Sequence, residues 1–215
     1  MAINTGMNVI VPIEWLPLFT DVAPAGTQRP AAVPVTDEAL MTSYRGGDDQ
    51  AFAQLYARHR GSLLRFTRHL CHHAAEAEEI FQETWIAVVN SRSRYRVESS
   101  FVTWLFSIAH RRAADARRQR ARRPADTGFD GFDQVSAGSA ATDPPWRAFD
   151  DARERALRDA IASLPFEQRE VFLLRVEAGL GLRDIATLTH AKPEATKSRL
   201  RYALRALREA MKGWA

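Results

Sequence analysis

Close to its C-terminus the chain holds two short helical patterns separated by about four residues, and few folds accommodate such a pair. The first is Leu182-Arg183-Asp184-Ile185-Ala186-Thr187-Leu188. The break is Thr189-His190-Ala191-Lys192, and the second pattern opens Pro193-Glu194-Ala195-Thr196-Lys197-Ser198-Arg199-Leu200-Arg201. Two helices joined this tightly meet at a steep angle, the arrangement in which the second can enter a DNA major groove. Pro193 suits a first helical position, because its missing N–H is one the helix leaves unpaired in any case. Ala186 is small enough for the two helices to approach closely. Thr196, Leu200, Ala203, Leu207 and Met211 recur at helical spacing and are expected to face a core. Glu194, Lys197, Ser198, Arg201, Arg205 and Arg208 fall on the opposite side. Between Lys192 and Lys212 stand seven Lys or Arg against two Glu, the footprint of a phosphate-lined partner.

The rest of the chain must supply the core behind that motif. Its 215 residues allow one or two domains, and a 46% hydrophobic content is enough to build them. The net charge of +4 is unevenly spread. Arg111, Arg112, Arg117, Arg118, Arg120, Arg122 and Arg123 form a basic block opposed only by Asp115. Glu76, Glu78, Glu79 and Glu83 form an acidic block with no Lys or Arg between them. Separate acidic and basic surfaces are expected, serving more than one partner. Cys71 is the only cysteine, so no internal disulfide forms, and a reducing cytoplasm is the expected location. No apolar run is long enough to cross a bilayer, so no membrane insertion is expected, and the N-terminus lacks the basic opening of a secretory signal.

Residues 1–36 carry Pro12, Pro17, Pro24, Pro30 and Pro34, which break helices. A disordered extension or a docking arm is expected there, the latter because Val9-Ile10-Val11 and Trp15-Leu16-Pro17-Leu18-Phe19 are apolar. Residues 37–123 read as helical. Phe52, Leu55, Tyr56, Leu63, Phe66, Thr67 and Leu70 trace one buried stripe, and Ile80, Phe81, Thr84, Trp85, Val88 and Val89 a second. Phe101, Leu105, Ile108, Ala109 and Arg112 begin a third helix that turns basic, after a polar loop from Asn90 to Ser100. Residues 124–149 hold Pro124, Gly128, Gly131, Gly138, Pro144 and Pro145 and read as a linker. Helical pattern resumes over 150–215, broken at Pro165 and at Gly179-Leu180-Gly181. The expected fold is all-α: two small helical domains joined by a flexible linker.

Two blocks then resemble the sigma-70 family of bacterial RNA polymerase initiation factors, in its extracytoplasmic-function branch. The first is Ala75-Glu76-Ala77-Glu78-Glu79-Ile80-Phe81-Gln82-Glu83-Thr84-Trp85, followed by Phe101-Val102-Thr103-Trp104-Leu105-Phe106-Ser107-Ile108-Ala109-His110 and Asp115-Ala116-Arg117-Arg118. It is similar to the family's second conserved region. The other runs from Leu164-Pro165 through Arg169-Glu170-Val171-Phe172-Leu173-Leu174-Arg175 to Asp184-Ile185-Ala186 and Lys197-Ser198-Arg199-Leu200, and is similar to the fourth. Members usually have Asn where this chain has Arg111, and Gly where it has His190. They often have Ser, then Gly-Thr-Val, where it has Lys192 and Glu194-Ala195-Thr196. His tolerates a left-handed turn better than most residues, and losing Ser at 192 removes a hydroxyl cap worth about 1 kcal/mol.

The resemblance implies two macromolecular partners, core RNA polymerase (its β′ and β subunits) and promoter DNA, and an anti-sigma factor as a common third. It assigns Glu79, Gln82, Glu83 and Trp85 to a coiled-coil of β′; carboxylates and an amide on one helix face suit a basic helical partner. It assigns Ser99, Ser100, Thr103, Trp104, Arg111, Arg112, Arg117 and Arg118 to the −10 element. Hydroxyls there can meet an unstacked base and arginines can track phosphates. Lys192, Glu194, Lys197, Ser198, Arg199, Arg201 and Arg205 go to the −35 element, where Arg and Lys can read guanine and Glu can accept from cytosine.

Packing competes with these roles for Phe81, Trp85 and Trp104, each set among apolar neighbours. His69 and Cys71-His72-His73 lack a fourth ligand, so no metal and no cofactor is expected. No catalytic triad, glycine-rich phosphate loop or carboxylate pair is present, and no enzyme activity is expected. A helix-turn-helix regulator with a helical sensor domain is the alternative. It leaves the acidic helix and Thr103-Trp104-Leu105 unexplained.

Overall fold

The computed structural model describes residues 35–71, 73–122 and 145–214, with side chains from residue 152 in the last stretch. The expected N-terminal arm, apart from Val35 and Thr36, and the linker up to residue 144 lie outside the described residues, as does His72. Among the described residues every regular element is helical: α1 (Asp37–Arg45), α2 (Asp49–Leu70), α3 (Ala74–Asn90), α4 (Phe101–Ala121), α5 (Pro145–Ser163), α6 (Phe166–Val176), α7 (Leu182–Leu188) and α8 (Pro193–Ala210). Single 3-10 turns lie at Arg92–Arg94 and Lys212–Trp214.

Local chemistry sets the helix ends. Gly47, with φ 111°, reverses the chain after α1, and Asp48 then accepts from the backbone N–H of Gln50 at 3.0 Å to start α2. This satisfies a donor that the first turn would leave orphaned. Ser100 does the same for α4, accepting from Thr103 N at 3.1 Å. At the end of α7, His190 takes φ 52°. Ala191 N donates to Ala186 O at 2.9 Å and His190 N to Thr187 O at 3.3 Å, the paired bonds of a left-handed helix stop. Histidine thus fills a position that favours glycine. Lys192, next along, makes no side-chain cap bond to α8.

Leu55, Leu63, Phe66, Phe101, Leu105 and Phe106, each fully buried, fill the space between α2 and α4. Phe66 and Phe106 meet edge to face at 5.2 Å. The stretch expected as a polar loop from Asn90 to Ser100 is anchored at Tyr95, 5% exposed and packed on Phe101 and Trp104, and at Arg92, which lies over the Tyr44 ring. Around the helix-turn-helix, Phe172, Leu173, Leu174, Ile185, Leu200 and Leu207 form a second buried cluster. All five residues expected on the inner stripe of α8 are buried.

Helix α6 joins the two clusters. Arg65 of α2 donates to Glu177 at 2.9 Å, and His110 of α4 pairs with Glu170 at 2.9 Å. Arg117 lies 4.1 Å over the Phe166 ring and 3.9 Å from Glu167.

Candidate functional site

Three helix faces carry the side chains singled out by the sequence. On α3, Glu79 and Gln82 are exposed and Glu83 is half-buried. Trp85 is 6% exposed, packed on Tyr56 at 4.9 Å and edge-on to Phe52 at 5.8 Å. It backs the surface instead of forming it. The surface itself continues through two residues that the sequence did not single out as contacts, Ile86 at 56% exposure and Val89 at 43%. Val89, expected on a buried stripe, instead faces outward at the edge of a groove shared with Phe52 and Tyr56 of α2. With Phe52, Tyr56 and Trp85 these two line an open apolar groove of about 380 Å³. Glu79, Gln82, Ile86 and Val89 recur at three- and four-residue steps, so acid, amide and groove share one face. The neighbours of Ile86 in sequence, Trp85 and Ala87, are apolar, and only its place one turn after Gln82 put it on the acidic face.

On α4 the expected separation of acidic and basic surfaces fails. Arg112 is paired with Glu83, and Arg120 with Glu76, so the two blocks meet along the α3–α4 contact. Arg118 pairs with Asp115 one turn away. Arg111 is exposed, and Arg117 leans on α6. Ser99 is exposed, while Ser100 and Thr103 bond each other at 2.8 Å as part of the α4 cap. Trp104 is half-buried between Tyr95 at 5.1 Å and Phe101 at 5.9 Å, with part of its ring in solvent. The Glu83–Arg112 pair has both side chains more than a third exposed, so it is worth at most about 1 kcal/mol. A charged partner can separate it.

On α8, Lys192, Glu194, Lys197, Arg201 and Arg205 are exposed, and Ser198 and Arg199 are half-buried at its edge. Among the described residues no carboxylate pairs with Lys197, Arg201 or Arg205. Tyr202, which the sequence reading passed over, is 41% exposed on this face. An outward basic helix behind a tight turn is a shape for a nucleic-acid groove.

A model of sigma-70 region 2 matches residues 55–123, and a model of sigma-70 region 4 matches residues 154–207. The RNA polymerase sigma factor CarQ of Myxococcus xanthus is 32% identical over 169 residues, covering 79% of this chain and 94% of that protein. The ECF RNA polymerase sigma-E factor of Haemophilus influenzae is 27% identical over 172 residues, 77% of this chain and 90% of that one. The chain belongs to the extracytoplasmic-function branch of the sigma-70 family. This sigma factor is therefore a promoter-specific transcription initiation factor. Its fold is shared with two solved sigma factors. CnrH, in complex with the cytosolic domain of CnrY, has a TM-score of 0.57 at 20% identity and covers 83% of this chain and 99% of that one. RpoE of Bartonella quintana, in complex with the anti-sigma factor NepR, has a TM-score of 0.57 at 22% identity, covering 75% and 96%.

Burial shifts several titratable groups of this sigma factor from their ordinary range. Burial pushes the Glu177 carboxyl up to about 7, against the opposing pull of Arg65. Burial pushes the His69 imidazole down to about 4, helped by Arg158 and Arg65. Burial, with Glu76 nearby, raises the Cys71 thiol to about 12. Among the described residues no three His, Cys, Asp or Glu converge as metal ligands, and no helix is long and apolar enough to cross a membrane.

Proposed function

We propose a division of labour among the three faces. Glu79, Gln82 and Glu83 of α3, with the groove edged by Ile86 and Val89, grip a basic coiled-coil of the polymerase β′ subunit. The observation that carries this is the run of acid, amide and apolar groove along one helix face, which fits a helix bearing a cation one turn from a bulky apolar side chain. Trp85 supports the groove from beneath.

Helix α4 and the residues before it engage the −10 element, with Ser99, Ser100 and Thr103 toward a base and Trp104 offering its exposed edge. Arg111, Arg112, Arg117 and Arg118 hold the phosphates of the opened strand. The N-terminal residues of α8 enter the −35 major groove, with Lys192, Glu194, Lys197, Ser198, Arg199, Arg201 and Arg205 on or beside the reading face. Residues 37–123 and 150–215 act as separate domains on a 124–149 linker, released from each other at the α6 contact. An anti-sigma factor that holds them together fits the same division. The protein works in the cytoplasm and has no enzymatic step of its own.

Run-off transcription with purified core polymerase tests the reading. The chain should direct initiation at one start on its promoter. Core that initiates equally well without it, or a free protein that binds duplex promoter tightly and specifically, favours the regulator alternative.

A further inference from the structure

Tyr202 is a large aromatic side chain, 41% exposed on the outward basic face of α8, and two arginines lie over it. The guanidinium carbon of Arg201 is 5.2 Å from the Tyr202 ring centre, and that of Arg205 is also 5.2 Å away. Arg201 and Arg205 are one helical turn apart, and the ring is shared by two cations that would otherwise repel each other and sample many rotamers. A guanidinium stacked on an aromatic face keeps its N–H fork available at the edge. The ring therefore restrains both arginines without consuming their donors.

Position along α8 gives the two arginines different targets. At about 1.5 Å per residue, Arg201 and Tyr202 lie roughly 12–14 Å from Pro193, and Arg205 roughly 18 Å. A major groove is about 12 Å wide. With the N-terminal end of α8 in the groove, Arg201 is the last residue able to reach base edges, Tyr202 stands at the rim, and Arg205 lies outside over the backbone.

We propose that Tyr202 is a specificity-determining positioning residue of the promoter-reading helix. Its ring holds Arg201 toward a guanine and Arg205 toward a phosphate of the same site, so that base reading and backbone anchoring share one platform. The proposal rests on the assignment of α8 to the −35 element and adds a residue that acts through its neighbours.

The test uses holoenzyme reconstituted from core polymerase and the full chain, on a promoter library randomised through the −35 element, with sequence preference read from transcript counts. In Tyr202→Ala, preference for guanine at the position read by Arg201 should fall roughly three- to five-fold. In Tyr202→Phe, which keeps the ring, it should return to within about two-fold of the parent, and both variants should melt at the parent's temperature. Arg205→Ala should lower binding on all sequences alike and flatten its salt dependence. If Arg201→Ala destroys the preference and Tyr202→Ala leaves it intact, the platform is wrong and the −35 assignment stands. Tyr202→Phe failing as badly as Tyr202→Ala also overturns it, since the hydroxyl and not the ring would be the active part. If neither Arg201→Ala nor Tyr202→Ala changes the preference, both the assignment and the platform fall.

Discussion

The charged faces of α4 and α8 are built on different terms. The outward cations of α8 have no carboxylate partner among the described residues, and Tyr202 restrains two of them. Those of α4 are largely engaged: Arg112 with Glu83, Arg120 with Glu76, Arg118 with Asp115, and Arg117 with Phe166 and Glu167. The α8 face is ready for a phosphate-lined groove as it stands. The α4 face is largely satisfied internally, and on the proposed reading its arginines exchange partners to meet DNA. On the proposed assignment of Glu83 to the polymerase contact, a basic helix that captures Glu83 releases Arg112.

The sharpest break of this contrast is the double variant Lys197→Ala with Arg201→Ala. It should lower promoter-specific run-off transcription by about a hundredfold or more, since groove contacts contribute roughly 1–3 kcal/mol each. Pull-down of core polymerase should be unchanged. Loss of core binding in that variant would erase the division between the two helices.

Next in size is Glu79→Lys with Glu83→Lys. It turns attraction to a basic coiled-coil into repulsion and also sets a lysine against Arg112. Affinity for core should drop at least about tenfold in a titration with labelled protein. The circular dichroism spectrum should stay helical.

A third measurement bears on the contact of α6 with α2. Glu177 titrates near 7 in the fold and near the usual carboxylate value when unfolded. Between those values the fold binds the extra proton, so Glu177 adds stability as pH falls and withdraws it above 7. His69 does the reverse: with a folded value of about 4 against 6.5, it removes stability as pH falls through that window. The two slopes oppose each other, so denaturant stability of the parent should change little between about pH 4.5 and 6.5. Glu177→Gln should be more stable than the parent at pH 8, by roughly 1–3 kcal/mol, and should lose stability steadily on acidification. A parallel pH profile for parent and variant would show that Glu177 titrates normally.

The smallest effect sharpens the comparison most. In a double-mutant cycle on core binding, Glu83→Ala and Arg112→Ala should couple by no more than about 1 kcal/mol. Arg112→Ala alone should hold core as well as the parent or slightly better, while open-complex formation slows. Weaker core binding by that single variant would place Arg112 in the polymerase contact itself.

Legibility from sequence followed the range of the interactions. The amphipathy of α8, the start at Pro193 and the left-handed turn at His190 are local events, and each was readable from a few adjacent residues. The pairing of Glu83 with Arg112 spans 29 positions, and that of Arg65 with Glu177 spans 112, so no window of sequence contains them. Val89 was misplaced because hydrophobicity says what a residue prefers and not whether a neighbour reaches far enough to cover it. Tyr202 was passed over for a related reason. Its value lies in two flanking guanidiniums whose approach depends on rotamers.

Cys71 carries a consequence for signalling. It is the only thiol in the chain, lies 5% exposed at the C-terminal cap of α2, and its proton is held to about 12. At neutral pH almost none of it is thiolate, the form that peroxides and disulfides attack. Burial and the raised thiol together slow attack by oxidants at this cysteine in the folded protein. Cys71 is therefore poorly suited to be a redox sensor, and a thiol-based signal reaching this sigma factor is better read by a bound partner.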